Sequence, residues 1–213
     1  FVGTILVKEL LKQNHYVIVV DTQWFGNFLP KHKNLLVKKK DFRDLGTEEF
    51  NKIDTIIHLA NIANDPASEL NPNLSWEVNV LATQEIITMA INDGIKHFIY
   101  SSSGSVYGLK KEKKVTEKLS PYPISVYNKT KMIAERVFLS YKDRINVICL
   151  RPATVCGLSP RMRFDLTVNE FTKDLALGKE LVIFGEKFWR PYCHVKDFSN
   201  AFITVLNLSL IHI

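Results

Sequence analysis

Residues 4–21, TILVKELLKQNHYVIVVD, place an amphipathic helix directly before a short β-branched run that ends in an acid. In residues 4–14 the apolar side chains recur at helical spacing, whereas residues 17–20 are all valine or isoleucine. Such a continuous apolar strand is typical of a parallel sheet that helices cover on both faces. The stretch therefore predicts a helix followed by a buried strand.

The same alternation continues along the chain. A helix is expected across residues 76–91, and another carries residues 125–135. Four further strands share short apolar runs, and these are NLLVKKKDFRD (34–44), KIDTIIHLA (52–60), KHFIYSSS (96–103) and INVICLRP (145–152). Strands that alternate with helices in this way predict an α/β fold, a doubly wound parallel sheet of Rossmann type that lacks its first strand.

The pattern changes after Pro152. A polar loop, GLSPRMRFD (157–165), precedes a helix from about Thr167, a short strand LVIFG (181–185) and a helix after His194. We expect residues 1–155 to form one domain that lacks its N-terminus, and 156–213 to be part of a smaller second region. The chain is therefore expected to be a fragment at both ends, and its last six residues (208–213) resemble translated sequencing adaptor.

The composition excludes several classes of protein. With 213 residues, of which 46% are hydrophobic and 23% charged, the chain predicts an ordinary globular protein. The net charge of +6 comes from scattered lysines with tight clusters only at 38–40 and 110–114, which favours a solvated surface over a nucleic-acid interface. Three cysteines without CxxC spacing indicate neither a disulfide framework nor a metal site. No apolar run approaches the roughly 20 residues of a membrane span, so we expect a cytoplasmic protein without membrane contact.

Two residues indicate a dinucleotide. Gly3 precedes the first helix, and Asp21 closes the next strand 18 residues later. In a Rossmann unit a glycine permits close packing of helix and strand, and an acid about 20 residues on binds the ribose 2′-hydroxyl. The glycine alone would be read as a simple turn, but its spacing to the acid favours nucleotide binding. Since an acid repels a 2′-phosphate, NAD is favoured over NADP.

Two further strand ends are ambiguous. Asp41 is either the N-cap of a turn or an acceptor for the adenine amino group. The segment HLAN (58–61) brings small and apolar residues to a place where backbone would approach a ligand. For His58 we favour a packed or hydrogen-bonded histidine over a catalytic one.

The stretch SVYNKTKMIAE (125–135) places Tyr127 and Lys131 four residues apart, hence on one face of a helix. An adjacent ammonium lowers the pKa of a tyrosine, which makes the phenolate a usable proton acceptor. A surface pair is the ordinary explanation of such spacing. The preceding strand, however, ends in YSSSGSVYG (100–108), a hydroxyl-rich segment at the edge where open α/β sheets bind ligands.

Taken together, FVG, VVD, DFRD, HLA, NVLAT and SSSGSVYG with YNKTK resemble the extended short-chain dehydrogenase/reductase family. Within it, the chain is similar to the NAD-dependent nucleotide-sugar epimerases and dehydratases, such as UDP-glucose 4-epimerase. The resemblance implies catalytic roles for Ser103, Tyr127, Lys131 and Asn79. It implies that NAD is held by Gly3, Asp21, Asp41, Phe42, Leu59, Ala60, Asn61, Ser101, Tyr127, Lys131 and Pro152. It implies that the sugar nucleotide meets Ser103, Tyr127, Thr154, Asn169 and Arg190.

The substrate side of the resemblance leaves alternatives open. RPYCHVKD (190–197) is similar to a family segment in which the arginine, here Arg190, pairs with the nucleotide diphosphate, and a surface arginine is the alternative. Pro191 replaces the aspartate that is usual in the family. Asn169 is either a substrate-contacting amide or a residue of a helix surface.

The family's 4,6-dehydratases carry Asp-Glu directly after the catalytic hydroxyl residue, where this chain has Gly104 and Ser105. The resemblance therefore favours epimerisation at sugar carbon 4 through a transient 4-keto sugar. A reductase or dehydrogenase is a second reading, and a non-catalytic dinucleotide sensor a third, although sensors are expected to lose the tyrosine or the lysine. The family also implies a homodimer.

Overall fold

A computed structural model describes residues 1–211, and the side chains of residues 1–208. The predicted helix and strand at the start of the chain are confirmed as α1 (Val2–Lys12) and β1 (Val17–Asp21). The helix ends where Asn14 takes a left-handed conformation, with φ of 62°. Of the segment 208–213, residues 212 and 213 lie outside the described residues.

The described strands form three sheets. β1 pairs with β2 (Leu35–Lys39). The central sheet consists of three parallel strands in the order β3, β4, β5, with Ile99 of the middle strand opposite Ile57 and Ile148. Their bounds are β3 Thr55–His58, β4 His97–Ser101 and β5 Asn146–Leu150. The predicted α/β fold with parallel strands is therefore confirmed.

In the part of the chain that the structure describes, six further α-helices follow α1. The helix predicted across 76–91 is a longer helical stretch in which one π-helical turn (Glu77–Leu81) separates two α-helices. The helices are α2 (Asp65–Leu70), α3 (Pro72–Trp76), α4 (Ala82–Asn92), α5 (Val126–Leu139), α6 (Thr167–Ala176) and α7 (Val195–Ile211). Short 3-10 helices lie at Phe42–Asp44, Thr47–Phe50 and Gly104–Tyr107.

The prediction of a strand at LVIFG (181–185) is wrong. The described backbone has no strand there, and Val182 and Phe184 are 65% and 90% exposed. Instead, β6 (Thr154–Cys156) and β7 (Tyr192–His194) form a short parallel pair. An apolar run becomes a strand only when another backbone edge pairs with it, and the sequence pattern does not show where such an edge lies.

Contacts divide the chain into two compact units that do not follow chain order. One contains Phe1–Val19, Gln23–Lys38 and Pro152–Leu210, and the other consists mainly of Val20–Thr22 and Lys39–Arg151. The predicted division at residue 155 separates a cofactor-binding part of the chain from a substrate-binding part, and it stays a prediction.

The core of the second unit is aromatic and centres on β4. Phe98 and Tyr100 of this strand are fully buried, and their rings lie 4.6 and 4.7 Å from that of Phe138 on α5. Ile87 of α4 and Ala134 of α5 complete this layer. Since large buried rings dominate core energetics, this packing fixes α5 against the end of β4.

The segment after β4 depends on a glycine. Gly108 has φ of +65°, and a Cβ there would lie 2.1 Å from the backbone oxygen of Tyr122. Tyr122 is held at this place by a backbone hydrogen bond of 2.9 Å, which its N–H donates to the carbonyl of Val106. Only glycine fits at position 108, because the backbone of Tyr122 cannot move aside as the end of a flexible side chain could.

We predict that Gly108→Ala lowers the free energy of unfolding by about 2–5 kcal/mol, because a left-handed backbone and a backbone clash are combined. The matched control is Gly94→Ala, since Gly94 has φ of +73° but nothing within 4 Å of its Cβ position. The control should lose only about 1–2 kcal/mol. Urea unfolding followed by circular dichroism measures both, and equal losses would contradict the argument.

Candidate active site

Lys131 lies at the centre of the site in the second unit. Its side chain is only 3% exposed, and its Nζ donates a hydrogen bond of 2.7 Å to the carbonyl of Ser101, the last residue of β4. The same nitrogen lies 4.7 Å from the ring centre of Tyr100 and 5.8 Å from that of Tyr127. The predicted placement of Tyr127 and Lys131 on one face of a helix is confirmed.

Burial lowers the pKa of Lys131 to about 7, and the negative charge of Glu135, followed by the influence of Cys149, opposes this shift. The ammonium form of Lys131 has three N–H donors, one of which binds the Ser101 carbonyl. A cationic N–H donor at the end of β4 fits the hydroxyl oxygens of a dinucleotide ribose.

Tyr127 lies in the first turn of α5. Ser125 caps this helix by accepting a hydrogen bond of 3.2 Å from the N–H of Asn128, and its hydroxyl donates to Asp65. The Tyr127 carbonyl accepts a hydrogen bond of 2.8 Å from the hydroxyl of Thr130. The backbone that carries Tyr127 is therefore held on both sides.

Asn79 lies in the π-helical turn and is completely buried. Its amide accepts a hydrogen bond of 2.8 Å from the Ile62 N–H, and donates bonds of 3.1 Å to the Ile62 carbonyl and to Thr130. A π-helical turn re-aims side chains relative to an α-helix, and such turns are frequent at functional sites. Asn79 thereby connects the loop after β3 to α5 at the turn that follows Tyr127.

Ser103 caps the 3-10 helix Gly104–Tyr107. Its hydroxyl accepts a hydrogen bond of 3.2 Å from the Ser105 N–H and lies 2.7 Å from the Ser105 hydroxyl. This 3-10 helix packs against α5, the helix that carries Tyr127 and Lys131. The segment therefore presents two linked hydroxyls beside that helix.

The acids at two strand ends have different surroundings. Asp21 is exposed at the end of β1, and its carbonyl accepts a hydrogen bond of 3.2 Å from the Lys40 N–H. Asp41 caps the helix Phe42–Asp44 and forms an ion pair of 2.8 Å with Arg43, whose hydrogen bonds lower the pKa of the Asp41 carboxyl. The N-cap alternative is thus confirmed, while a contact with adenine stays a prediction.

His58 is a packed histidine, as expected. It is 5% exposed, lies edge-on to Phe42 at 5.2 Å and stacks on Tyr100 at 5.9 Å. Burial lowers its pKa to about 3, and the charge of Lys131 adds to this effect, so the ring is neutral at physiological pH.

The three residues after His58 are only partly buried. Leu59 and Ala60 follow β3 directly, and the amide of Asn61 donates to the Ala60 carbonyl and accepts a bond of 3.5 Å from the Tyr100 hydroxyl. These three residues connect β3 to Ile62, whose N–H donates a hydrogen bond to Asn79.

The other predicted residues belong to the first unit. Gly3 lies in the first turn of α1, Pro152 opens the segment after β5, Thr154 begins β6, and Arg190 is exposed before β7. Their roles toward NAD or a sugar nucleotide stay predictions.

Asn169 is not a helix-surface residue, because it is only 6% exposed. It accepts a hydrogen bond of 2.9 Å from the Gly157 N–H and donates one of 3.0 Å to the Arg163 carbonyl. Its amide thus spans the loop that the sequence predicted between 157 and 165.

Sequence reasoning missed one buried ion pair. Glu135 on α5 is 2% exposed and receives three hydrogen bonds from Arg151, of 2.6, 2.9 and 3.1 Å. Arg151 also donates a bond of 2.7 Å to the hydroxyl of Tyr107. The available signal was the acid four residues after Lys131, one helical turn further along the same face.

The described residues contain neither a metal cluster nor a membrane-spanning helix. No group of three or more His, Cys, Asp or Glu side chains is arranged to hold a metal ion. Across the same part of the chain, every helix is too short or too polar to cross a bilayer.

Two solved epimerases share this structure. A UDP-N-acetylglucosamine 4-epimerase from Methanobrevibacter ruminantium, solved with UDP-N-acetylmuramic acid, superposes with a TM-score of 0.87 at 26% identity over 95% of this chain and 68% of its own. A UDP-glucuronic acid 4-epimerase from Bacillus cereus, solved with UDP-glucuronic acid and NAD, has a TM-score of 0.83 at 27% identity, covering 97% and 70%.

Among curated sequences, an uncharacterized protein of Sinorhizobium fredii is 33% identical over 98% of this chain, which spans only 51% of that relative. The sequence model of the NAD dependent epimerase/dehydratase family matches residues 1–210. The match extends over nearly the whole chain, and the chain therefore belongs to the NAD-dependent epimerase/dehydratase family.

Proposed function

We propose that the protein is an NAD-dependent epimerase that inverts carbon 4 of a nucleotide-activated sugar. The observation that carries this proposal is the buried Lys131 ammonium, which lies beside the Tyr127 ring at the carboxyl end of β4. The two similar solved proteins are 4-epimerases of UDP-sugars, which supports this choice within the family.

Lys131 and Tyr127 would act on a proton. The positive charge of Lys131 favours the phenolate of Tyr127, which takes the proton from the sugar 4-hydroxyl. The hydroxyl of Ser103 would steady the same oxygen, and Ser105 lies within hydrogen-bond distance of Ser103. After the 4-keto sugar has turned in the site, hydride would return to the other face of carbon 4, and Tyr127 would give the proton back to the oxygen on that carbon.

The cofactor assignment follows the strand ends. We place the adenosine part at Gly3, Asp21, Asp41 and Phe42. The remaining cofactor-binding residues of the proposal are Leu59, Ala60, Asn61, Ser101, Tyr127, Lys131 and Pro152. Bound NAD would supply hydride acceptance and return at carbon 4 of the sugar. Asn79 would hold the backbone around this site through its hydrogen bonds to the Ile62 carbonyl and the Thr130 hydroxyl.

The substrate side of the proposal uses the other predicted residues. Arg190 would pair with the nucleotide diphosphate, and Thr154 and Asn169 would border the sugar nucleotide.

We further propose that residues 1–155 serve the cofactor and 156–213 the substrate, and that the protein is a homodimer. The three free cysteines fit a reducing compartment, so we place the protein in the cytoplasm.

Gly104 and Ser105 disfavour a 4,6-dehydratase, which stays an alternative within the family. Elimination of water needs an acid and a base next to the catalytic hydroxyl, and these two residues supply neither carboxyl group. A reductase or dehydrogenase of the same family is the second candidate, because it uses the same Tyr127 and Lys131. A non-catalytic sensor is disfavoured, since both of these side chains are present.

We predict that Tyr127→Phe in the full-length protein lowers turnover about 10²–10⁴-fold, because the proton acceptor is lost, while NAD still binds. Steady-state kinetics and calorimetric NAD titration measure the two effects. Tyr122→Phe is the matched control, since Tyr122 is 72% exposed and should leave turnover unchanged. Normal turnover of Tyr127→Phe would refute the assignment of Tyr127.

We predict that the full-length protein converts at least one UDP-, GDP- or dTDP-sugar into its C4 epimer without net formation of NADH. Proton NMR identifies the epimer, and absorbance at the nicotinamide band follows the cofactor. NADH formed in proportion to product would indicate the dehydrogenase instead, and loss of water from the sugar would indicate a dehydratase.

A further inference from the structure

The buried ion pair connects three segments that the proposed reaction uses. Glu135 lies one turn after Lys131 on α5, and both side chains are almost fully buried. Arg151 directly follows β5, and it reaches Tyr107 in the 3-10 helix that begins after Ser103. The Arg151 guanidinium also lies 5.0 Å from the centre of the Tyr107 ring.

Stability alone is a weak reason for such a pair. Two charges lose their hydration on burial, and a well-packed apolar pair of similar volume is often as stable. The geometry is nevertheless demanding, because both oxygens of Glu135 accept N–H groups of the Arg151 fork. The carboxylate is therefore fixed in place.

The groups that face Lys131 from the neighbouring strands are neutral at physiological pH. Burial raises the pKa of Tyr100 on β4 well above its usual value, and raises that of Cys149 on β5 to about 12. Burial lowers the pKa of His58 on β3 to about 3. None of the three carries a charge that would stabilise an ammonium.

On α5 itself, Tyr127 lies beside the same ammonium, and Glu135 follows Lys131 by one helical turn with its side chain buried. Tyr127 is the group that the proposed reaction cycles between phenol and phenolate, so its charge is not constant. Glu135 takes no part in the proposed proton transfer, and its carboxylate acts on Lys131 throughout. It opposes the loss of the ammonium that burial favours.

We propose that Glu135 is a positioning residue that favours the ammonium form of Lys131 at the end of β4, and that Arg151 holds Glu135 in place for this role. The inference deepens the proposed function and rests on it only for the catalytic consequence. Removal of the carboxylate would lower the fraction of Lys131 that is an ammonium at physiological pH, and only the ammonium stabilises the phenolate of Tyr127.

The test is a pH titration of Lys131 in the substrate-free full-length protein, followed by NMR of ¹³C-labelled lysine and assigned with Lys131→Met. In Glu135→Gln the midpoint should move to lower pH by about one unit or more, because the opposing charge is gone. Glu135→Asp keeps the charge and should restore most of the midpoint. An unchanged midpoint in folded Glu135→Gln would overturn the proposal.

Two further variants separate charge from folding. Glu135→Gln leaves Arg151 unpaired and can unfold the protein, whereas Glu135→Gln with Arg151→Met removes both charges at similar volume. This double variant should fold and keep the lowered midpoint of Lys131, and a wild-type midpoint would overturn the proposal. Tyr107→Phe is the matched control, because it removes one bond to Arg151 and leaves Glu135 charged, so the midpoint should not move.

The same data separate this inference from the proposed function. If the midpoint moves as expected and no sugar nucleotide is epimerised, the proposed function fails while the role of Glu135 stands. If epimerisation is found and the midpoint of Glu135→Gln equals that of the wild type, the role of Glu135 fails while the proposed function stands.

Discussion

A single buried ammonium, that of Lys131, constrains the arrangement around it. A charge in an aromatic core is costly unless acceptors and counter-charges surround it. The carbonyl of Ser101 supplies the acceptor because β4, the middle strand of three, ends there. The rings of Tyr100 and Tyr127 supply two polarisable faces. Burial nevertheless lowers the pKa of Lys131 to about 7, so the ammonium that favours a phenolate depends on the groups that oppose this shift.

Helix α5 meets this constraint through polar contacts in successive turns. Ser125 caps its start, Thr130 joins it to Asn79, and Glu135 joins it to Arg151. On the same helix the buried Ala134 and, one turn further on, Phe138 belong to the hydrophobic cluster around β4. The backbone under Tyr127 and Lys131 is therefore fixed by several independent interactions, which is the condition for precise placement of reacting groups.

The sequence predicted the parts whose signal is local. Short apolar runs predicted β1 to β5, because a parallel strand that helices cover on both faces is apolar along its length. The run 181–185 has the same composition, yet it is not a strand, since pairing depends on an edge elsewhere in the chain. β6 and β7 were missed because each strand has only three residues, too few to show an alternating pattern. The π-helical turn that aims Asn79 has no pattern of its own.

The sequence by itself determined the α/β class, the pairing of Tyr127 with Lys131 on one helix face, and the resemblance to one family, since all three are carried by spacing along the chain. Only the tertiary structure decided that Lys131 is buried, that Asp41 is held by Arg43, and that Asn169 spans a loop. It also decided the ion pair of Glu135 and Arg151, whose members lie 16 residues apart. Burial and long-range contacts set the charge of a side chain, and neither can be read from local spacing.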